Sequence, residues 1–420
     1  MACSSAAPKF LVRRRPAVLV APAAPTPREL KRLSDFDEQV GLRFQISNLH
    51  FYRRDESMGG KDPAWVIREA LANALVHYYP FAGRLREHDG CRLAVDCTGE
   101  GVLFVKADAE VGLEHFDNPL LPPFPCREEL IFDVPGSSAI LNTPLLLFQV
   151  TRLACGGFIL GVRLNHTMAD AQGLTQFLGA VAELARGAHA PSVLPVWKRE
   201  LLEGRNQQQP ALVHDKLGEV SGSDTDTKPS SIMLPKRATK FDTISSWIWK
   251  FRNVALAPDP DGVMVPMVVV NARGRNTAGV GIPIGYYGNA FLCPVAISTA
   301  GELSTNPLSY AIELVKKAKN QVDMEYMRST ADLIVLRRGQ STRIIAGMYS
   351  LADARRARFQ DLDFGWGKPL VSFLLPYKNT NGEDGIVVPM CLPGPAMDRL
   401  VEEMSKLLHQ PHVFPVKRLI

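Results

Sequence analysis

PLLLFQVTRLACGGFILGVRLNHTMADAQGLTQF, residues 144–177, joins two periodicities end to end. Phe158, Leu160, Val162, Leu164 and His166 fall on one face by the two-residue repeat of a strand. A first apolar strand precedes them across Ala154-Cys155-Gly156-Gly157, so the spacing predicts a hairpin. Past His166 the repeat becomes helical: Leu174, Phe177, Leu178, Val181, Leu184 and Ala185 form one stripe, with Gly187 just beyond its end. His166 therefore ends a buried strand, and Asp170 stands at the entry to a helix. Strands that feed directly into helices predict an α/β (α+β) chain with mixed sheets.

The flanking sequence extends this pattern. KFLVRRRPAVLVAP (9–22) reads as an extended strand pair around Arg13–Arg15, in preference to the Arg-rich transit peptide that its composition also suggests. TPRELKRLSDFDEQ (26–39) predicts a helix with Thr26 as N-cap, Pro27 at the first position and Glu29 as capping acid. GLRFQISNLHFYR (41–53) alternates like a strand, and Asp62-Pro63 caps a helix that Pro80 stops. Short strands around glycine turns follow, over 83–110.

Residues 186–231 are polar and rich in Pro, Ser and Gln, so two domains are expected to meet there. The divisions are 1–190, a crossover linker 191–235, and 236–420. The second half begins with an apolar helix over 241–256 and a buried strand over 263–275. A glycine-rich turn (281–291) leads into one long helix over 306–327. A hairpin across Asn379–Asp384 and a last helix, 396–408, complete the chain.

Composition narrows the function. The 420 residues are 46% apolar and 22% charged, an ordinary globular balance. A net charge of +5 is far from the basic patchwork of a nucleic-acid binder. Seven scattered cysteines contain no CxxC pair, and nine histidines contain no HExxH. Both observations argue against a disulfide framework or a zinc site, and favour the reduced cytosol with no metal. No apolar run approaches the 18 residues of a membrane span.

His166 and Asp170 make an HxxxD spacing, which by itself is weak; roughly one chance match is expected in every two such chains. A core histidine satisfied by a backbone carbonyl is the bland alternative. DFGWG (363–367) is far more specific, with chance odds on the order of one in ten thousand. Its first three letters do not make a kinase, because HRD, GxGxxG and APE are missing. GxSxG is also missing, which excludes a hydrolase nucleophile elbow.

With both motifs in this order, the chain resembles the plant BAHD acyl-CoA-dependent acyltransferases. YYPFAGRL (78–85), VNARGR (270–275), GYYGNA (285–290) and GIVVPMCLPGPAMDRL (385–400) share the pattern. SDFDEQVGLRFQISNLHFYR and the opening stretch look most like the family's benzyl alcohol O-benzoyltransferase and alcohol acyltransferase branch.

The resemblance implies two chloramphenicol-acetyltransferase-like domains with the active-site channel between them. It implies His166 as general base, acyl-CoA as co-substrate with no bound cofactor, a small alcohol as acceptor, and a monomer that binds neither membrane nor nucleic acid. Asp170 is expected to turn from His166 towards Arg273 or Arg275, which the sequence cannot separate. Trp366 offers an indole N–H for the oxyanion, as does a backbone N–H near the glycines, with core packing as the alternative reading of Trp366. Asp363 is read as structural, and Gly365 and Gly367 as permitting a tight backbone path. Lys236, Arg237, Lys240, Ser245 and Ser246 are expected near the CoA phosphates, at a helix start. Two segments, before Phe241 and after Pro369, are shorter than in the family. They are the only support for a catalytically weak acyl-CoA- or protein-binding relative. Within the enzyme class, the runner-up is a hydroxycinnamoyl-CoA transferase with a phenolic or shikimate-type acceptor.

Overall fold

Alternating apolar residues build the first half around one large sheet. The computed structural model describes residues 10–116, 120, 124–133, 139–208, 238–273, 281–340, 347–372, 376–378, 384–386, 388, 390 and 392–408. Strands β1 (Val12–Arg14), β2 (Val18–Val20), β3 (Leu30–Arg32) and β4 (Gln45–Tyr52) precede helix α1 (Pro63–His77). Then come β5 (Arg84–His88), β6 (Arg92–Asp96), β7 (Val102–Ala109), the short α2 (Arg127–Leu130), β8 (Leu146–Arg152), β9 (Phe158–Asn165) and α3 (Ala171–Ala185).

The second half holds α4 (Lys240–Leu256), β10 (Val263–Val268), β11 (Val270–Asn271), β12 (Phe291–Leu292), β13 (Ser298–Thr299), α5 (Ala300–Thr305), α6 (Leu308–Asn320), α7 (Met324–Leu336) and β14 (Met348–Leu351). It closes with β15 (Val371–Ser372), β16 (Pro376–Lys378), β17 (Asp384–Ile386) and α8 (Gly394–Leu408).

The main sheet runs β1-β7-β8-β9-β4-β15, with β2 also on β7; only β7 and β8 run parallel. The opening stretch is β8, β9 and α3, as its periodicities predict. Phe158, Leu160, Val162 and Leu164 pack with α1 and α3 in one core. Leu49, Phe51 and Ile159 face the other way, with Phe116 and Ile131. The capping signals also hold: Asp62 accepts from the Ala64 N–H at 3.0 Å to start α1.

Several expectations fail for identifiable reasons. No helix forms over 26–39. Leu30, Lys31 and Arg32 pair instead with Asp96, Val95 and Ala94 of β6, and Glu29 accepts from the Tyr79 hydroxyl at 2.5 Å. Open edge groups on β6 outweigh a weak local preference. The N-terminal strands β1 and β2 do not pair with each other; both pair with β7. The single helix over 306–327 is broken between Asn320 and Met324, where Asp323 accepts from the Tyr326 N–H at 2.8 Å and starts α7. The hairpin near the C-terminus is β16–β17, and its turn lies outside the described residues.

DFGWG follows the C-terminal half in chain order but not in packing. Phe359, Leu362, Phe364 and Trp366 belong to the same core as Tyr52, Phe158 and α3, and Val371–Ser372 pairs with Phe51–His50 at the edge of the main sheet. The C-terminal half thus lends a strand to the N-terminal one. The short stretch after Pro369 forms this pairing at once, since the Leu370 N–H donates to the Phe51 carbonyl at 2.8 Å. The short segment before Phe241 falls mostly on residues outside those described.

Candidate active site

His166 is held from three sides. Its N–H donates to the Phe44 carbonyl at 2.9 Å, which extends the β4–β9 pairing by one residue. The chain then turns at once: the Asn165 carboxamide accepts from the Thr167 hydroxyl at 2.8 Å and from its N–H at 3.2 Å. The His166 carbonyl accepts from Asn289 Nδ2 at 2.8 Å, across from the C-terminal half. The half-buried ring lies edge to face with Phe44, centroids 5.3 Å apart, and 6.1 Å from Phe291. Its Nδ1 is buried and has no hydrogen-bond partner among the described residues.

Asp170 faces the other way. As N-cap of α3 it accepts from the Gly173 N–H at 2.9 Å. Its Oδ2 takes a hydrogen bond from Arg273 Nη1 at 2.7 Å and one from the Ala290 N–H at 3.0 Å. Arg273 continues to the Gly288 carbonyl at 2.6 Å. One carboxylate therefore starts a helix of the first half and ties it to two segments of the second. Among the described residues no carboxylate orients His166 Nδ1, so the arrangement is not a serine-hydrolase dyad. Arg275 lies outside the described residues.

The loop that carries His166 rests on a buried polar cluster that sequence reading missed. Asp37, fully buried, pairs with the equally buried Arg199 at 2.9 Å. Arg199 also donates to the Met168 carbonyl at 2.9 Å, and its guanidinium lies 4.4 Å from the Trp197 ring. Asn289 joins the cluster through its backbone N–H and its Nδ2, both donating to Asp37 Oδ1. A Cβ at residue 288 would collide with the Arg199 guanidinium, so only glycine fits there. Asp37 falls in 26–39, where the spacing predicts a helix that does not form, and Arg199 in the expected linker 191–235. Asn289 was visible only inside GYYGNA.

Other predicted residues separate. Trp366 packs edge-on against Phe158, centroids 5.4 Å apart, at the start of β9. His166 lies past the far end of that strand, about 25 Å along it. Trp366 is therefore a core residue, and the oxyanion assignment is corrected. Asp363 accepts from the Gly365 N–H at 2.8 Å and fixes a turn in which Gly365 and Gly367 both have positive φ, 110° and 76°.

Ser245 and Ser246 are also corrected. They lie inside α4 with 1% and 0% exposure, and Ser246 donates to the Asp242 carbonyl of its own helix. Lys240 is exposed at the first turn of α4, where a capping box pairs the N–H groups of Thr239 and Asp242 with each other's side chains. Asp242 pairs with Lys319 at 2.6 Å. Lys236 and Arg237 lie outside the described residues. Among the described residues, no group of three or more His, Cys, Asp or Glu could hold a metal, and no helix is long and apolar enough to cross a membrane.

Comparison with known proteins adds to this geometry. Residues 12–234 and 223–407 both match the Transferase family. The chain is 49% identical over 435 residues to a benzyl alcohol O-benzoyltransferase of Nicotiana tabacum, covering 95% of this chain and 94% of that protein. It is 46% identical over 437 residues to alcohol acyl transferase 1, allele GSa, of Malus domestica, covering 95% of each. Among solved structures, vinorine synthase superposes with a TM-score of 0.63 at 22% identity, covering 89% of this chain and 93% of that one. The TRI101 protein of F. sporotrichioides, complexed with coenzyme A and T-2, gives 0.65 at 17%, covering 90% and 98%. At these identities the two structures establish the fold alone.

Proposed function

This chain belongs to the Transferase family, the BAHD acyl-CoA-dependent acyltransferases, and on that premise we propose that it moves a benzoyl or other short acyl group from acyl-CoA to the hydroxyl of a small alcohol. His166 is the general base. Its neutral imidazole takes the hydroxyl proton as the oxygen attacks the thioester carbonyl. The C–S bond then breaks, and the imidazolium returns the proton to the CoA thiolate. The thioester is already activated, so the reaction needs no covalent enzyme intermediate.

The observation that carries this reading is the hold on His166: hydrogen bonds from both halves fix its backbone N–H and carbonyl, while among the described residues no carboxylate pairs with its Nδ1. Acyl-CoA would enter between the divisions 1–190 and 236–420, with its phosphates near Lys236, Arg237 and Lys240. Coenzyme A in the TRI101 complex supports this choice of co-substrate. The reading also includes a monomer in the cytosol. The five described cysteines are unpaired, which fits a reducing compartment.

Free-thiol release tests the proposal. Benzoyl-CoA with benzyl alcohol should release thiol well above the rate without alcohol. His166→Ala should lower that alcohol-dependent rate by about 10²–10⁴-fold while the circular dichroism spectrum is unchanged. A folded variant with near-parental turnover would reduce His166 to a core histidine. Faster turnover of a hydroxycinnamoyl-CoA with a shikimate-type acceptor would move the substrate assignment. No release with any pair would favour the weak, binding-only relative.

A further inference from the structure

The loop 166–170 is gripped at two of its carbonyls, those of His166 and Met168, by groups that neither react nor cap a helix. Asn289 Nδ2 donates to the His166 carbonyl and to Asp37 Oδ1, at 2.8 Å in both cases. Arg199 donates to the Met168 carbonyl at 2.9 Å and pairs with the same Asp37. Ser34 completes the carboxylate shell, donating to Asp37 Oδ2 from its hydroxyl at 2.6 Å and from its N–H at 3.0 Å. Asp37 and Asn289 are fully buried, and Arg199 is 1% exposed. The cluster is shut off from bulk water, and among the described residues Asn289 is the one side chain that donates to the carbonyl of the reacting residue.

The three residues come from three regions: the start of the chain, the crossover and the C-terminal half. The aim of the imidazole thus depends on all three being docked. We propose that Asn289, backed by Asp37 and Arg199, is a positioning residue for His166. It acts by fixing that residue's own peptide rather than its ring. The inference rests on the reading of His166 as general base. Its chemistry is geometric: a misplacement of about 1 Å at the proton acceptor costs on the order of 10²-fold in rate. A side-chain amide suits this place because its NH₂ carries two donors and serves two acceptors at once. A hydroxyl could serve only one.

The test compares Asn289→Leu, Asn289→Ser, His166→Ala and the Asn289→Leu/His166→Ala double variant by thiol release with benzoyl-CoA and benzyl alcohol. Thermal melts check folding. Asn289→Leu should lower kcat on the order of 10²-fold, with KM for both substrates kept within about threefold. Asn289→Ser, which retains one donor, should lose less. In the His166→Ala background, Asn289→Leu should leave the residual rate unchanged, because a positioning effect disappears with the group it positions. A general packing defect would cut both backgrounds by the same factor. That outcome, or a folded Asn289→Leu with parental kcat, overturns the proposal. If Asn289→Leu does not fold, Asn289→Ser carries the same comparison in both backgrounds. Parental turnover in His166→Ala would overturn the base reading, and this inference with it.

Discussion

Burial moves His50 far from the ordinary titration range of a histidine. On β4 it lies opposite Leu160 on one side and Ser372 on the other. Both ring nitrogens are buried without a hydrogen-bond partner among the described residues, and burial pushes the pKa down from 6.5 to about 3. The unfolded chain therefore takes up this proton first. The stability tied to a neutral His50 is complete above about pH 6.5 and is lost as pH falls towards 3, at about 1.4 kcal/mol per unit. Urea unfolding at pH 7, 5 and 4 should show the parent losing stability faster than His50→Leu. Equal slopes would mean that the imidazole is reached by water. Trp366 invites a different comparison. As a core residue it should tolerate Trp366→Phe with normal turnover per folded molecule and lose only stability. A large fall in kcat without a lower melting temperature would restore a catalytic role.

Elements dock here through their ends as much as through their faces. The stretch from Phe359 to Ser372 leaves the second half and packs on the first, and Tyr52 donates to the Leu362 carbonyl at 3.0 Å as it arrives. Gly365 makes the crossing possible. At φ 110° an alanine would be strained, and its Cβ would come within 2.8 Å of the Met58 side chain. Gly365→Ala should cost about 1–3 kcal/mol in chemical denaturation. The loss should fall on stability, not on KM, because DFGWG lies at the end of β9 remote from His166. An unchanged denaturation midpoint would show that this turn relaxes freely.

The two halves are joined by polar contacts at the site as well as by the shared strand. Asp170 and Arg273 lie 2.7 Å apart with side chains 9% and 12% exposed. Removing one partner strands the other charge, so Asp170→Ala and Arg273→Ala should each lose about 3–5 kcal/mol. Asp170→Ala also loses the cap of α3. The double variant should lose less than the sum, because the pair is lost only once. Denaturation midpoints of the three variants measure this. A stable Asp170→Ala with a shifted pH–rate profile would instead make the carboxylate a partner of His166 in catalysis.

Strand and helix repeats were readable between residues 144 and 185 because burial on one face imposes a period on the side chains. The strand end at His166, the helix entry at Asp170 and the DFGWG turn followed from local rules. The resemblance these motifs carry reached the family and the two candidate arginines. Tertiary structure decided the rest. Residues 30–32 became a strand because β6 offered unpaired edge groups, which no local propensity records. Trp366 and His166 were separated by the length of β9, a distance invisible to motif order. Ser245 and Ser246 turned inward because one face of α4 is core. The Asp37–Arg199–Asn289 cluster draws on residues 162 and 252 positions apart in pairs with Asp37, and carries no spacing signal. Periodicity reports which face of an element is buried; only the assembled chain brings such distant donors and acceptors within hydrogen-bond reach.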